Sequence, residues 1–139
     1  MGEKIIESKL AKLEEVLVTL KEFEEIPMEE FIADRKIFYG ATYTLIMGIE
    51  IICDIGNHVL SYYFGRKAET YKDIIKLLAE VEVIPSSFAK ETTKMTKFRN
   101  LAIHVYEIIK PRKVYSYMPQ AISQFQIYSR YFLKFIQKP

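Results

Sequence analysis

The spacing of apolar residues predicts helices along almost the whole chain. In the first segment, apolar side chains recur every three or four positions, at Ile6, Leu10, Leu13, Leu17 and Leu20. This is the pattern of an amphipathic helix that faces a core, and it predicts a first helix over about residues 3–25. Nowhere does the chain alternate apolar and polar residues as a half-buried strand does. We therefore expect an all-α protein.

A long second helix is predicted from Met28, just after Pro27, to Phe64. Within it, apolar residues repeat at intervals of seven, at Phe38, Leu45, Ile52 and Val59. Such a repeat keeps one face of a helix against a neighbour, so we expect close helix pairing here. Gly65 follows and is suited to ending a helix.

Three further helices complete the prediction. A short third helix starts at Tyr71 and stops at Val81 or Val83, before Pro85. The fourth runs over about residues 86–109 and is closed by Pro111, and the last covers Val114 to Ile136, with Pro119 opening or kinking it. The expected architecture is one domain over residues 1–139, an antiparallel helical bundle of about five helices.

Composition supports a globular protein in a reducing compartment. Half of the 139 residues are hydrophobic and only one is cysteine. Cys53 lies in an apolar run, so it is expected to be a small buried hydrophobe. The uncharged stretch at residues 37–49 falls short of the ~20 residues that span a bilayer. No secretory signal is visible, and we expect a cytoplasmic protein without membrane contact.

Charge is distributed unevenly along the chain. Residues 1–35 carry ten acidic and five basic side chains, a net charge of −5, whereas residues 85–139 carry ten basic and two acidic ones, a net charge of +8. A basic region of this kind concentrates polyanions such as RNA.

The candidate chemistry lies in this basic region. Arg99, Asn100, His104 and Tyr106 fall within two helical turns. Arginine offers a planar set of donors for phosphate oxygens, and histidine exchanges protons near neutral pH. On an ideal helix Phe98, Leu101 and Ala102 face the core, while Arg99, Asn100 and His104 point outward and Tyr106 lies at the edge.

Arg99 and His104 are separated by about 140° around that helix. The length of the arginine, a local break in the helix, or a second subunit is needed to bring both to one phosphate. Ile103, an apolar residue on the polar face, suggests that this face is covered. We infer a homodimer whose motif helices approach each other across a cleft.

Other site types are not predicted. The chain contains no Glu-x-x-His pair, no His-Glu-x-x-His helix, no cysteine cluster and no glycine-rich phosphate loop, so neither a metal nor a cofactor is expected. The other histidine, His58, follows Asn57 on the long helix. It is expected to be a structural residue of the bundle or, with Asn57, a supporting residue near the cleft.

The Arg99-x4-His104-x-Tyr106 string, preceded by Met95-Thr96-Lys97-Phe98, resembles the motif of the HepT-like toxins of the HEPN superfamily. The resemblance covers roughly residues 30–137 and includes the segment Asp54 to His58. It implies a helical homodimer and a metal-independent endoribonuclease of a type VII toxin–antitoxin pair. Its partner would be an MNT-type minimal nucleotidyltransferase that neutralises the toxin by adding AMP. By the same resemblance Arg99 and His104 are catalytic, Asn100 accompanies the arginine, and Tyr106 accepts the AMP.

Two other interpretations stay open. The chain can be a non-catalytic module that binds nucleotide or the nucleotidyltransferase, or a purely structural helical dimer. The acidic first helix either docks the antitoxin or serves packing and solubility.

Overall fold

The computed structural model describes residues 2–104 and 109–137, and these form six helices without a strand. The helices are α1 (Gly2–Glu24), α2 (Met28–Ala33), α3 (Arg35–Phe64), α4 (Tyr71–Glu80), α5 (Ser86–His104) and α6 (Pro111–Gln137). The predicted all-α class is confirmed. Because both ends of α1 pack on α3, with Gly2 against Tyr62 and Phe23 against Gly40, these two helices are antiparallel.

The predicted second helix is in fact two helices, a correction to the sequence analysis. Asp34 separates α2 from α3 in an extended conformation. Its side chain accepts a hydrogen bond from the Lys36 backbone N–H at 2.9 Å. The carboxylate thus satisfies one of the unpaired N–H groups that every helix start leaves.

The core lies around α3. Eleven of its thirty residues are buried, including three of the four predicted at intervals of seven: Leu45, Ile52 and Val59. By length and composition α3 is the one described helix that could cross a membrane. Its packing against α1, α4 and α6 accounts for this apolar character, since a core helix needs the same residues.

Gly56 allows α4 to approach α3 closely. A Cβ atom built on it would lie 2.7 Å from Ile74 Cγ2, closer than packed carbon atoms allow. Further along, Arg66 just after α3 pairs with Glu80 at the end of α4, and Tyr71 at the start of α4 bonds Glu50. These contacts show that α4 runs beside α3 in the same direction, so not every neighbouring pair in the bundle is antiparallel.

The predicted boundaries near Pro111 and Pro119 need correction. The fourth helix, expected over 86–109, is described as helical to His104, and residues 105–108 lie outside the described part. Pro111 is the first residue of α6 rather than the end of α5, and Pro119 lies inside α6. Proline suits the first turn of a helix because the backbone N–H it lacks has no partner there.

Cys53 is buried, as predicted, with 1% of its surface exposed. Burial, followed by the nearby carboxylates, raises the pKa of its thiol to about 12. The thiol therefore stays protonated at neutral pH and is a poor nucleophile.

Candidate active site

Helix α5 carries the motif, and its first half is anchored in the bundle. Phe88, Thr92, Met95 and Thr96 are buried at helical spacing on one face. The Thr92 hydroxyl lies 2.6 Å from the Tyr128 hydroxyl on α6. This anchoring fixes the direction in which the last two turns of α5 leave the core.

In those last turns, Arg99 is held by residues of other helices. Its Nε donates to Glu50 Oε1 on α3 at 2.6 Å, and its guanidinium carbon lies 4.6 Å from the centre of the Tyr71 ring on α4. The Tyr71 hydroxyl donates to the other Glu50 oxygen at 2.7 Å. We call Glu50, Tyr71 and Arg99 the arginine clamp.

The clamp corrects one prediction and has a chemical consequence. Arg99 was expected to point outward with His104, but its side chain is only 21% exposed because Glu50 draws it onto α3. Burial, and next the hydrogen bond to Glu50, raises the pKa of Tyr71 to about 12. Tyr71 therefore remains a neutral donor at physiological pH.

Arg99 retains capacity for a ligand. One more N–H, on Nη1, donates to the Asn100 side-chain oxygen at 3.2 Å. A guanidinium has five N–H donors, and within the described residues only two of them are used in these side-chain bonds. The other three make no hydrogen bond within residues 2–104 and 109–137.

Next to the clamp lies an open cleft of about 660 Å³ between α4 and α5. Asn100 and His104 line it together with Tyr71 of the clamp. Three lysines, Lys72, Lys94 and Lys97, lie along its walls. The cleft is therefore a cationic groove with an exposed imidazole at one side, which suits a phosphate chain.

The structure brings the candidate residues together in part. Asn100 bonds Arg99 and lines the cleft with His104, and Tyr71 belongs to both the clamp and the cleft. No hydrogen bond links Arg99 directly to His104 in the described part of the chain. Ile103, beside His104, is 39% exposed. Tyr106, the predicted AMP acceptor, lies outside the described residues.

His58 and Asn57 are not part of this cleft. The His58 ring stacks on Tyr62 with 5.4 Å between centroids and contacts the edge of Tyr63. Its Nε2 is buried and has no hydrogen-bond partner among the described residues. Asn57 is exposed on α3. His58 thus belongs to an aromatic cluster, separate from the residues that line the cleft.

Sequence reasoning missed Glu50 and Tyr71. Glu50 does leave a signal, because it is the acidic residue that ends the apolar run from Ile37 to Ile49. A carboxylate in an apolar helix needs a polar partner. The sequence does not show which basic residue is that partner. Across residues 2–104 and 109–137, no group of three or more His, Cys, Asp or Glu side chains lies close enough to hold a metal ion.

Comparisons with known proteins cover nearly the whole chain. The family described as Ribonuclease HepT-like matches residues 6–132. A relative named tRNA nuclease HepT, from Aphanizomenon flos-aquae, is 25% identical over 126 residues, which are 91% of this chain and 86% of the relative.

Solved structures share the fold. The tri-AMPylated Shewanella oneidensis HEPN toxin, in complex with its MNT antitoxin, has a TM-score of 0.85 at 20% identity and covers 94% of this chain and 97% of its own. YutE, a cytosolic protein of unknown function from Bacillus subtilis, has a TM-score of 0.84 at 17% identity, with 97% and 90% covered. At these identities the likeness concerns the arrangement of helices.

Proposed function

The chain belongs to the HepT-like ribonuclease family, and from this membership we propose that it is a metal-independent endoribonuclease, the toxin of a type VII toxin–antitoxin pair. The observation that carries the proposal is the cationic cleft, which His104 and Asn100 line beside the clamped Arg99. The relative named tRNA nuclease makes tRNA the first substrate to test.

The proposed chemistry uses the nucleophile that RNA itself contains. His104 accepts the proton of a ribose 2′-OH, and the 2′ oxygen attacks the adjacent phosphorus. The bond from phosphorus to the 5′ oxygen breaks, and that oxygen takes a proton from an imidazolium or from water. The products are a 2′,3′-cyclic phosphate and a free 5′-hydroxyl.

Arg99 contributes electrostatic stabilisation. The extra negative charge of the pentavalent phosphorus falls on its non-bridging oxygens, where preorganised donors act most strongly. Glu50 keeps the guanidinium in one orientation, so little reorganisation is needed when a phosphate arrives. Asn100 limits the guanidinium further through its 3.2 Å hydrogen bond.

The active form in this proposal is a homodimer in the cytoplasm. About 140° around α5 separates Arg99 from His104 of one chain, and in the proposed dimer the second copy brings one residue of each kind to the same phosphate. Exposed Ile103 offers an apolar contact for that copy. An MNT-type nucleotidyltransferase is the proposed antitoxin, and Tyr106 is the proposed acceptor of AMP.

The test compares tRNA cleavage by the purified wild type with cleavage by a variant that lacks the His104 imidazole. We expect His104→Ala to lower the cleavage rate by about 10²–10⁴-fold, the usual effect of losing a general acid or base. Because His104 is exposed, the melting temperature of the His104→Ala variant should match that of the wild type. His58→Phe, which keeps an aromatic ring in the Tyr62 cluster, is the matched histidine control and should cleave normally.

Equal cleavage by His104→Ala and wild type would refute the catalytic role. If the wild type binds the nucleotidyltransferase but cleaves no RNA at high protein concentration, the chain is a non-catalytic partner or nucleotide-binding module instead.

A further inference from the structure

A second cavity lies on the other side of the motif helix. It has a volume of about 310 Å³ and lies between α5 and α6. Phe98 and Leu101 of α5, with Ile109, give it apolar walls. Phe98 and Leu101 were predicted to face the core, yet they are only partly buried, because they line this cavity. Its volume is at the lower end of the ~300–1,000 Å³ range of small-molecule sites.

Two of the residues that line this cavity carry a buried polar group without a partner. The Tyr117 hydroxyl and the Gln124 Nε2 are both buried without a hydrogen bond to any residue of 2–104 and 109–137. Both residues line the cavity, and Gln124 is only 4% exposed. Leaving such a group unsatisfied destabilises the folded chain. Either polar group can bond something that enters the cavity once its side chain rotates toward it.

The walls indicate what that ligand is. The Phe98 and Tyr117 rings pack together, with centroids 4.8 Å apart, and form an aromatic surface on which a flat ring can stack. An amide such as that of Gln124 can pair with the polar edge of a nucleobase, as glutamine does with adenine. Lys94, Lys97 and Lys113 also line the cavity and supply positive charge for phosphate.

The cavity adjoins the cleft of the candidate active site. Lys94, Lys97 and Leu101 line both, so this part of α5 forms the ridge between them. A polynucleotide that passes the lysines can place one phosphate in the cleft and a neighbouring base in the cavity.

We propose that the cavity between α5 and α6 is a nucleotide-binding subsite, in which a nucleobase stacks on Phe98 and Tyr117 and bonds the Tyr117 hydroxyl and the Gln124 amide. This inference rests on the proposed function, because it makes the subsite part of the same RNA-binding surface. The nucleotide is either a residue of the RNA chain or a separate nucleoside monophosphate.

The experiment removes the hydroxyl of Tyr117 and the side-chain amide of Gln124. The double variant Tyr117→Phe with Gln124→Met keeps the shape of both side chains. The matched control is Tyr131→Phe with Gln126→Met, two residues of α6 that do not line this cavity. Binding of AMP, of the other nucleoside monophosphates and of a short RNA is measured by calorimetry in a His104→Ala background, so that the result does not depend on cleavage.

We expect the double variant to weaken nucleotide or RNA binding at least tenfold and the control to leave it unchanged. The double variant should melt at the same or a higher temperature, because no described protein hydrogen bond is lost. Weakened binding of both AMP and RNA assigns the site to a free nucleotide as well as to the chain, and weakened binding of RNA alone assigns it to a residue of the polymer. Each of these outcomes supports the subsite.

Unchanged binding of every probe in the double variant would overturn the proposal, as would a wild type that binds none of them. A double variant that melts at a clearly lower temperature would also count against it, since the two atoms would then have partners in the folded chain. Failure of cleavage in the wild type would refute the nuclease but not this binding result.

Discussion

At the scale of single residues, Glu50 determines where Arg99 points. A free arginine side chain samples many rotamers, and holding it for a phosphate costs conformational entropy. The 2.6 Å bond to Glu50 and the stacking on Tyr71 impose that order before any substrate binds. Glu50 is therefore a positioning residue, which acts on a phosphate only through Arg99.

The variant Glu50→Gln tests this role. Loss of the charge should weaken the clamp, lower the free energy of unfolding by about 1–3 kcal/mol and reduce kcat for RNA cleavage by about 10–100-fold. The measurements are a denaturant titration and cleavage kinetics that separate kcat from KM.

The control for this test is Glu80→Gln, which removes an exposed ion pair with Arg66 of 3.1 Å. Exposed pairs contribute about 0–1 kcal/mol, and this one lies outside the cleft, so cleavage should not change. A normal kcat in Glu50→Gln, with only the stability reduced, would show that Glu50 is merely structural.

At the scale of elements, the start of α3 determines the placement of the clamp. Asp34 ends α2 and caps α3, so the long helix takes its own direction rather than continuing that of α2. Because Glu50 lies four turns into α3, the direction set at Asp34 affects the position of the carboxylate that holds Arg99.

Replacing Asp34 with alanine should lower the free energy of unfolding by about 1 kcal/mol, within the ~0.5–2 kcal/mol range of lost helix caps. The matched control is Asp34→Asn, whose side-chain oxygen can still accept from the Lys36 N–H, and it should stay close to the wild type. Thermal and urea unfolding of the three proteins give the comparison. Equal losses in both variants would mean that the charge, rather than the cap, stabilises this junction.

At the scale of the whole molecule, the two sides of α5 have different roles. One side carries the clamp and the cleft, and the other carries the cavity with its unpartnered tyrosine and glutamine. The helix has few acidic residues, and the lysines between the two sites face both of them. Catalysis in the proposed dimer then depends on how a second copy meets the exposed end of this helix.

Mixing two inactive variants tests for a site shared between subunits. Arg99→Ala and His104→Ala are each expected to lack cleavage activity, and a mixed dimer of the two retains one site with both groups intact. Random exchange of subunits should restore about a quarter of the wild-type rate, because half of the dimers are mixed and each has one of two sites. The measurement is the rate of RNA cleavage after the two variants are refolded together. Continued inactivity of the mixture would place both groups in the same subunit.

The sequence alone determined the helical class, the buried stripe of α3 and the grouping of Arg99, Asn100 and His104 on one helix. These are properties of local periodicity, which depends on residues three, four or seven positions apart. The Asp34 cap was also present in the sequence, as an aspartate of the type that starts helices, although the prediction joined the helices on either side of it.

Only the tertiary structure decided which side chains these residues contact. Glu50 reaches Arg99 across 49 positions of sequence, and no periodic pattern relates residues so far apart. The cavity beside Tyr117 and Gln124 is lined by residues of both α5 and α6, which come together only in the folded chain. Such contacts depend on how the helices settle against one another, and the hydrophobic effect that drives this packing is not directional. For that reason the sequence alone placed Arg99, Asn100 and His104 on one helix, while the packing of the bundle determined where their side chains point.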